Sequence, residues 1–359
     1  MTTVLLAHGG FPERAKTAVG VLRYGDRDVV AVLDRDAAGD HVRDRLPDLP
    51  AARDAPIVAD MDEVEECEEL LVGIAPIGGG FEAAWRPDVR QALERGCDVV
   101  AGLHYFLGED AEFRALAEEY GGEIRDVRRP PEDLTVARGI ADEVDATVVL
   151  TVGMDCSVGK MTTTCELVRT ARERGLDAAF VPTGQTGILI EGWGVPVDRV
   201  VSDFVAGAVE RMVVERGDHD YLFVEGQGSI THPAYSAVTC GILHGAMPDS
   251  LVLCHAAGRE AVHGYEEFAL PSPSTTRSLY EALAGPVRET EVVAGALDTR
   301  GIESDAEARA AVEAYAAAID APATDPVRFG VDVGADGATG AEDGEGEPRD
   351  VEPVLEAVL

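Results

Sequence analysis

The stretch GMDCSVGKMTTT, Gly153–Thr164, decides how this chain is read. It holds Lys160, one of two lysines in 359 residues whose Lys and Arg together number 30; the other is Lys16. A chain that uses arginine almost everywhere keeps a lysine directly after Gly159. An ammonium is a compact point charge and fits where the broad arginine fork does not. Ahead of it, ATVVLTVG (Ala146–Gly153) reads as a buried strand, and GKMTTTCELVRTARERG behind it reads as a helix closed by glycine. Strand, glycine turn and helix make a phosphate loop. The turn aims successive backbone N–H groups inward, and the helix start adds unpaired donors and the positive end of its dipole.

The spacing is not the standard G-x-x-x-x-G-K-[ST], because five residues separate Gly153 from Gly159. It resembles the G-x-D-x-x-x-G-K-T loop of dethiobiotin synthetase, with Asp155 and Val158 in place. Cys156 and Ser157 complete the loop as candidate phosphate contacts. Met161 stands where such enzymes carry the hydroxyl that holds Mg²⁺, and Thr162 lies about 100° further around the helix. Phosphate binding is expected; ordinary use of Mg-ATP is not, although Thr162 and Glu225 are the metal ligands if ATP is used.

Outward from the loop, AAFVPT, YLFVEG, SLVLCH and EVVAGALD read as further strands of a second α/β series. FVEGQGSITHPAYS (Phe223–Ser236) ends one of them in Glu225 and a glycine turn, similar to the V-E-G-x-G of the dethiobiotin synthetase group. Ligands of open α/β sheets sit at the carboxyl ends of the strands, so Glu225 should face Lys160. Gln227 and His232 follow it, and Gln185 lies in the neighbouring turn PTGQTGI.

The N-terminal half alternates strands (TVLLA, DVVAVLD, LLVGIAP, DVVAGLH) with helical stretches, which argues for a parallel sheet covered on both faces. The proline-containing DVRRPPEDLTVARG breaks the pattern. The expected division is a Rossmann-like domain over 1–135 and a P-loop NTPase-like α/β domain over 136–329. A Gly-, Asp- and Glu-rich tail over 330–359 should be disordered, because it has too little apolar surface to offset its chain entropy. Gly10 with Lys16 and Thr17, and the triple glycine of APIGGGF, suggest a second place where a ligand approaches the backbone.

The formal net charge is −37, spread along the chain. With lysine so scarce, this resembles a cytoplasmic protein of a high-salt organism, where screening removes the self-repulsion. Nucleic acid and membrane surfaces are not expected partners. Six cysteines without a CxxC pair suit a reduced interior. A small-molecule substrate and a homo-oligomer are expected.

Taken in order, RAKTAVGVLRYG, GIAPIGGG, GLHYFLGED, DVRRPPEDL, GMDCSVGKMTT, PTGQTGI, DFVAGAVE, the long block Glu225–His255 and GALDT resemble the DUF1611 family, grouped as D-glutamate N-acetyltransferase-like. The resemblance covers roughly residues 10–300. It implies acetyl transfer from acetyl-CoA, as co-substrate, to the amine of D-glutamate. The phosphate loop would then grip the CoA diphosphate. His232 or Glu225 would take the ammonium proton, and Arg259 and Lys16 would meet the two carboxylates. Two alternatives stand beside it: a Mg-ATP-dependent ligase or carboxylase of dethiobiotin synthetase type, and a non-catalytic nucleotide-binding regulator.

Overall fold

A computed structural model describes residues 1–76, 79–330 and 351–359. The chain divides into two compact units. The first comprises Met1–Pro130 together with Gln185–Arg199, and the second runs from Pro131 to Gly184 and resumes at Val200.

In the first unit, β1 (Thr2–Leu6), β2 (Asp28–Leu33), β3 (Ile57–Val58), β4 (Glu69–Val72), β5 (Asp98–Ala101) and β6 (Ile124–Asp126) form one sheet in the order β3-β2-β1-β4-β5-β6. Every pairing is parallel. Its helices are α1 (Lys16–Tyr24), α2 (Val42–Arg45), α3 (Arg86–Glu94) and α4 (Ala111–Tyr120). The order matches that of doubly wound dinucleotide folds. Strand interiors are apolar because both faces are covered. Leu6, Leu33, Trp85 and Phe113 are fully or almost fully buried in one core. Helix α4 shows how local chemistry sets an element's limits. The Asp110 carboxylate accepts the N–H groups of Glu112 and Phe113 at its start, and Gly121 closes it at φ +83°.

The glycines expected to expose backbone to a ligand serve packing here. A Cβ on Gly10 would lie 2.5 Å from the Ile74 side chain, and one on Gly79 would overlap the His104 ring. Ile77 and Gly78, the rest of that triple-glycine loop, lie outside the described residues.

The second unit begins with Pro131, and its opening segment is tied down: the buried Glu210 carboxylate accepts the N–H groups of Arg138 and Ile140 at 2.7 and 2.8 Å. Next come β7 (Thr147–Gly153), α5 (Lys160–Glu173) and β8 (Ala178–Val181). Helix α6 (Gln185–Glu191) belongs with the first unit, whereas a division of the sequence at residue 135 would put it in the second. Then follow α7 (Val205–Glu215), β9 (Tyr221–Val224), α8 (Ser236–Ala246), β10 (Ser250–Ala256), β11 (Ala261–Val262), β12 (Tyr265–Ala269), α9 (Pro273–Ala284), β13 (Glu291–Asp298), α10 (Asp305–Ile319) and β14 (Ala323–Thr324). The main sheet is parallel, ordered β14-β13-β10-β7-β9-β8. β11 and β12 make a separate antiparallel hairpin whose turn is His263-Gly264, with Gly264 at φ +77°.

The tail reading needs one correction. Glu352–Val358 forms α11, which buries Val354, Leu355 and Val358 and packs on α5 and β13. Its EPVLEAVL carries the apolar spacing of a helix face, which the acidic glycine-rich run before it lacks. Residues 331–350, the core of the expected disordered tail, lie outside the described residues.

Candidate functional site

Because β7 lies between β10 and β9, with β8 beyond, the loops at the carboxyl ends of these strands are neighbours. The β7 strand ends at Gly153 and the chain turns through Met154–Gly159 before α5 begins at Lys160. Two left-handed residues shape the turn, Ser157 at φ +53° and Gly159 at φ +88°. Such alternation points amides into one concavity, and the first turn of α5 contributes N–H groups with no carbonyl four residues back.

Lys160 is 8% exposed. Its ammonium donates to the Asp155 carbonyl at 2.8 Å, so it lies across the mouth of the loop and is not turned into solvent. A Cβ on Gly153 would lie 2.6 Å from Nζ, and one on Gly226 would lie 3.5 Å from Cδ. The lysine stem therefore runs in a slot between two glycines. This is the spatial reason for a lysine at this position.

The loop is braced from below and from the side. The Gly153 carbonyl accepts the Tyr280 hydroxyl at 2.8 Å, and the Met154 carbonyl accepts the Ser229 hydroxyl at 3.0 Å. The fully buried Asp155 carboxylate accepts the N–H of Cys156 at 2.7 Å and of His263 at 2.8 Å. Arg259 pairs with it at 3.2 Å and donates to the Cys156 carbonyl at 2.6 Å. Val158 and Met161 point into the core, at 1% and 4% exposure. Among the loop residues, then, Asp155, Val158 and Met161 anchor the turn, and Lys160 lies across its mouth. Thr162 is half-buried.

Glu225 follows β9 and is buried. Its Oε2 accepts the N–H groups of Thr183 and Gly184 at 3.1 and 3.0 Å, which fixes the turn after β8. Gln227 donates to the Thr183 carbonyl at 2.7 Å. His232 is 1% exposed, packed between Tyr235 and Tyr265. One of its ring nitrogens, the Cys156 sulfur and an Asp155 carboxylate oxygen all lie within 4.8 Å of one another.

That trio has the residue types of a metal site but not the hydrogens. The Ala234 N–H donates to His232 Nδ1 at 3.1 Å, so Nδ1 carries the lone pair and Nε2 the proton. A protonated Nε2 cannot ligate a metal, and Asp155 is already bound by two amides and a guanidinium. Burial pushes the Cys156 thiol up, a trend that Lys160 opposes, so the sulfur is not poised as a thiolate.

Arg259, expected at a substrate carboxylate, has its guanidinium on the phosphate loop, where it meets the Asp155 carboxylate and the Cys156 carbonyl. Lys16, Thr17 and Gln185 belong to the first unit. There Lys16 is exposed at the start of α1, the Thr17 and Thr186 hydroxyls are 2.9 Å apart, and Gln185 covers Gly102. Sequence reasoning missed Tyr280, Ser229 and the β11–β12 hairpin that brings His263 to Asp155. Of these only the hairpin had a signal, a His-Gly pair between apolar residues.

His255, at the end of β10, sits near Tyr315 with its Nδ1 buried and unpartnered among the described residues. Burial, and then Arg259, push its pKa down to about 4, against the opposing pull of Asp155. The unfolded chain takes up this proton near pH 6.5 and the folded chain does not. Its stabilising contribution is therefore complete above pH 6.5 and is lost as the pH falls towards 4. On the order of 2 kcal/mol should disappear between pH 7 and pH 5 from this group. Urea unfolding of His255→Phe at the two pH values, at constant high salt, should show a smaller drop than the wild type. Equal drops would refute the assignment.

Comparisons with known proteins give the same two α/β domains, with the profile of the second domain running through α6 as well. Residues 135–333 match the profile described as "Domain of unknown function (DUF1611_C) P-loop domain", and residues 35–130 match "Domain of unknown function (DUF1611_N) Rossmann-like domain". A protein from Tritonibacter scottomollicae named D-glutamate N-acetyltransferase is 37% identical over 262 residues, 73% of this chain and 78% of its own length. One of the same name from Pseudoalteromonas sp. is 35% identical over 264 residues, covering 73% of this chain and 79% of its own. The crystal structure of a DUF1611 family protein from Anabaena variabilis superposes with a TM-score of 0.87 at 36% identity, covering 99% of this chain and 98% of that one.

Proposed function

The chain belongs to the DUF1611 family, and on that premise we propose that it is an N-acetyltransferase moving an acetyl group from acetyl-CoA to the amine of D-glutamate. The observation that carries the reading is the phosphate loop itself. A buried ammonium and inward amides suit the diphosphate of CoA, while the next side chain, Met161, is apolar and buried where a Mg²⁺-binding hydroxyl would be needed for ATP.

In this reading Lys160 and the amides of Ser157–Thr162 hold the diphosphate. Glu225, beside the turn after β8, takes the proton that the substrate ammonium must lose before it attacks. The amine nitrogen bonds to the carbonyl carbon, the C–S bond of that tetrahedral centre then breaks with its electron pair on sulfur, and the leaving CoA sulfur takes up the second nitrogen proton. Holding thioester and amine in one geometry supplies much of the acceleration. The enzyme is read as cytoplasmic, its acidic surface suited to a salty interior. No helix among the described residues is long and apolar enough to cross a membrane.

The test is a thiol-release assay in concentrated KCl with acetyl-CoA and a panel of D- and L-amino acids. Thiol release that requires D-glutamate supports the proposal. Release of ADP from Mg-ATP, or tight binding of either nucleotide without turnover, overturns it.

A further inference from the structure

We propose that His232 is not the base of the reaction but a neutral hydrogen-bond donor, whose Nε2–H meets the thioester carbonyl oxygen as it becomes an oxyanion; this rests on the acetyl-transfer reading. Three observations converge on it. The ring is buried, at 1% exposure, and stands against the phosphate loop, a ring nitrogen being within 4.8 Å of the Cys156 sulfur and of an Asp155 oxygen. A main-chain N–H can only donate, and that of Ala234 donates to Nδ1 at 3.1 Å. In the neutral ring this leaves the proton on Nε2. Finally, Nε2 is buried with no acceptor among the described residues. A buried donor left unpaired costs about 1–3 kcal/mol, and a ligand oxygen arriving beside it removes that cost.

The same geometry argues against a base. To accept a proton at Nε2, the neutral ring would first have to move its hydrogen to Nδ1, where it would collide with the Ala234 N–H. A donor placed before the reaction needs no such rearrangement, and its hydrogen bond strengthens as charge moves onto the carbonyl oxygen. No proton passes through His232. The amine nitrogen bonds to the carbonyl carbon, the C–O π pair moves onto oxygen beside Nε2–H, and the pair then returns as the C–S bond breaks. The ammonium proton goes to another base, and the CoA sulfur leaves with the C–S electron pair and takes up the proton that the acylated nitrogen sheds. Tyr235 and Tyr265 hold the ring in its plane, with ring centroids 4.7 and 5.2 Å away.

Two substitutions separate donor from scaffold. In His232→Asn the amide oxygen falls near the place of Nδ1 and can keep the Ala234 hydrogen bond, but nothing reaches the place of Nε2. In His232→Gln an NH₂ group reaches that place, and the Ala234 bond is lost. With acetyl-CoA and D-glutamate, His232→Gln is expected within about 10-fold of the wild-type kcat. His232→Asn should fall about 100-fold or more with little change in KM, as when one oxyanion donor is removed. The acidic limb of the pH–rate profile should be the same in wild type and His232→Gln. The reverse order of the two variants, or an acidic limb that disappears in His232→Gln, overturns the proposal.

A readout independent of turnover is ¹⁵N NMR of histidine-labelled protein, with the His232 signal assigned by its absence in His232→Gln. The Nε2–H tautomer at pH 7 supports the donor, and an Nδ1–H tautomer or an imidazolium overturns it. If the wild type acetylates no amino acid, the functional reading fails, and the NMR result alone decides the donor assignment.

Discussion

Lys160→Ala is expected to weaken acetyl-CoA binding by roughly 30–150-fold, the equivalent of about 2–3 kcal/mol for a charge-assisted contact to phosphate. The ammonium is buried at the mouth of the loop and bonded to the Asp155 carbonyl at 2.8 Å, so it is already placed where a diphosphate would enter. Little ordering is left to do on binding. Lys160→Arg should fare no better despite keeping the charge. The stem lies in a slot lined by Gly153 and Gly226, with Nζ 2.6 Å from where a Gly153 Cβ would be, and a planar fork needs more width. Titration calorimetry with acetyl-CoA at one fixed salt concentration checks both variants. Wild-type affinity in Lys160→Ala would remove the phosphate loop from the function.

The other large effect is on stability, at Gly226→Ala. An added Cβ would fall on top of the Thr151 carbonyl oxygen and 3.0 Å from its carbonyl carbon. Thr151 is in the middle of β7, almost wholly buried, and its hydroxyl accepts the Gly226 N–H at 3.2 Å. Neither backbone can move without opening the β7–β9 edge of the sheet. A destabilisation of roughly 3 kcal/mol is expected, at the upper end for a single added methyl, with a lowered urea midpoint at unchanged slope. Acetyl-CoA affinity should fall as well, since Glu225 and Gln227 flank the position. Gly301→Ala is the control. Among the described residues no atom beyond its own chain neighbours lies within 4 Å of its added Cβ, and its midpoint should stay close to that of the wild type. Equal midpoints for the two variants would show that the strands have slack at this point.

Much of this architecture was readable before any coordinates. Runs such as ATVVLTVG and EVVAGALD are apolar throughout because both faces of a parallel strand are covered, and β7 and β13 occupy those runs. The short edge strands β3, β6 and β14 were not readable, since two or three residues carry no period. Nor was the helix Glu352–Val358, because its seven-residue pattern follows a long acidic run that dominates the composition.

For the site, the sequence by itself determined the chemistry on offer: a lysine after a glycine turn, an acidic residue at a strand end, and no hydroxyl at position 161. These follow from short-range rules, because one strand, one turn and one helix start are contiguous in the chain. Only the tertiary structure decided what each side chain is free to do. Arg259 is 104 residues from Asp155 yet braces it, and Glu225 holds amides 41 and 42 residues away. Hydrogen-bond partners are assigned by the sheet order, which brings distant loops to one edge, and no local pattern in the chain encodes that meeting.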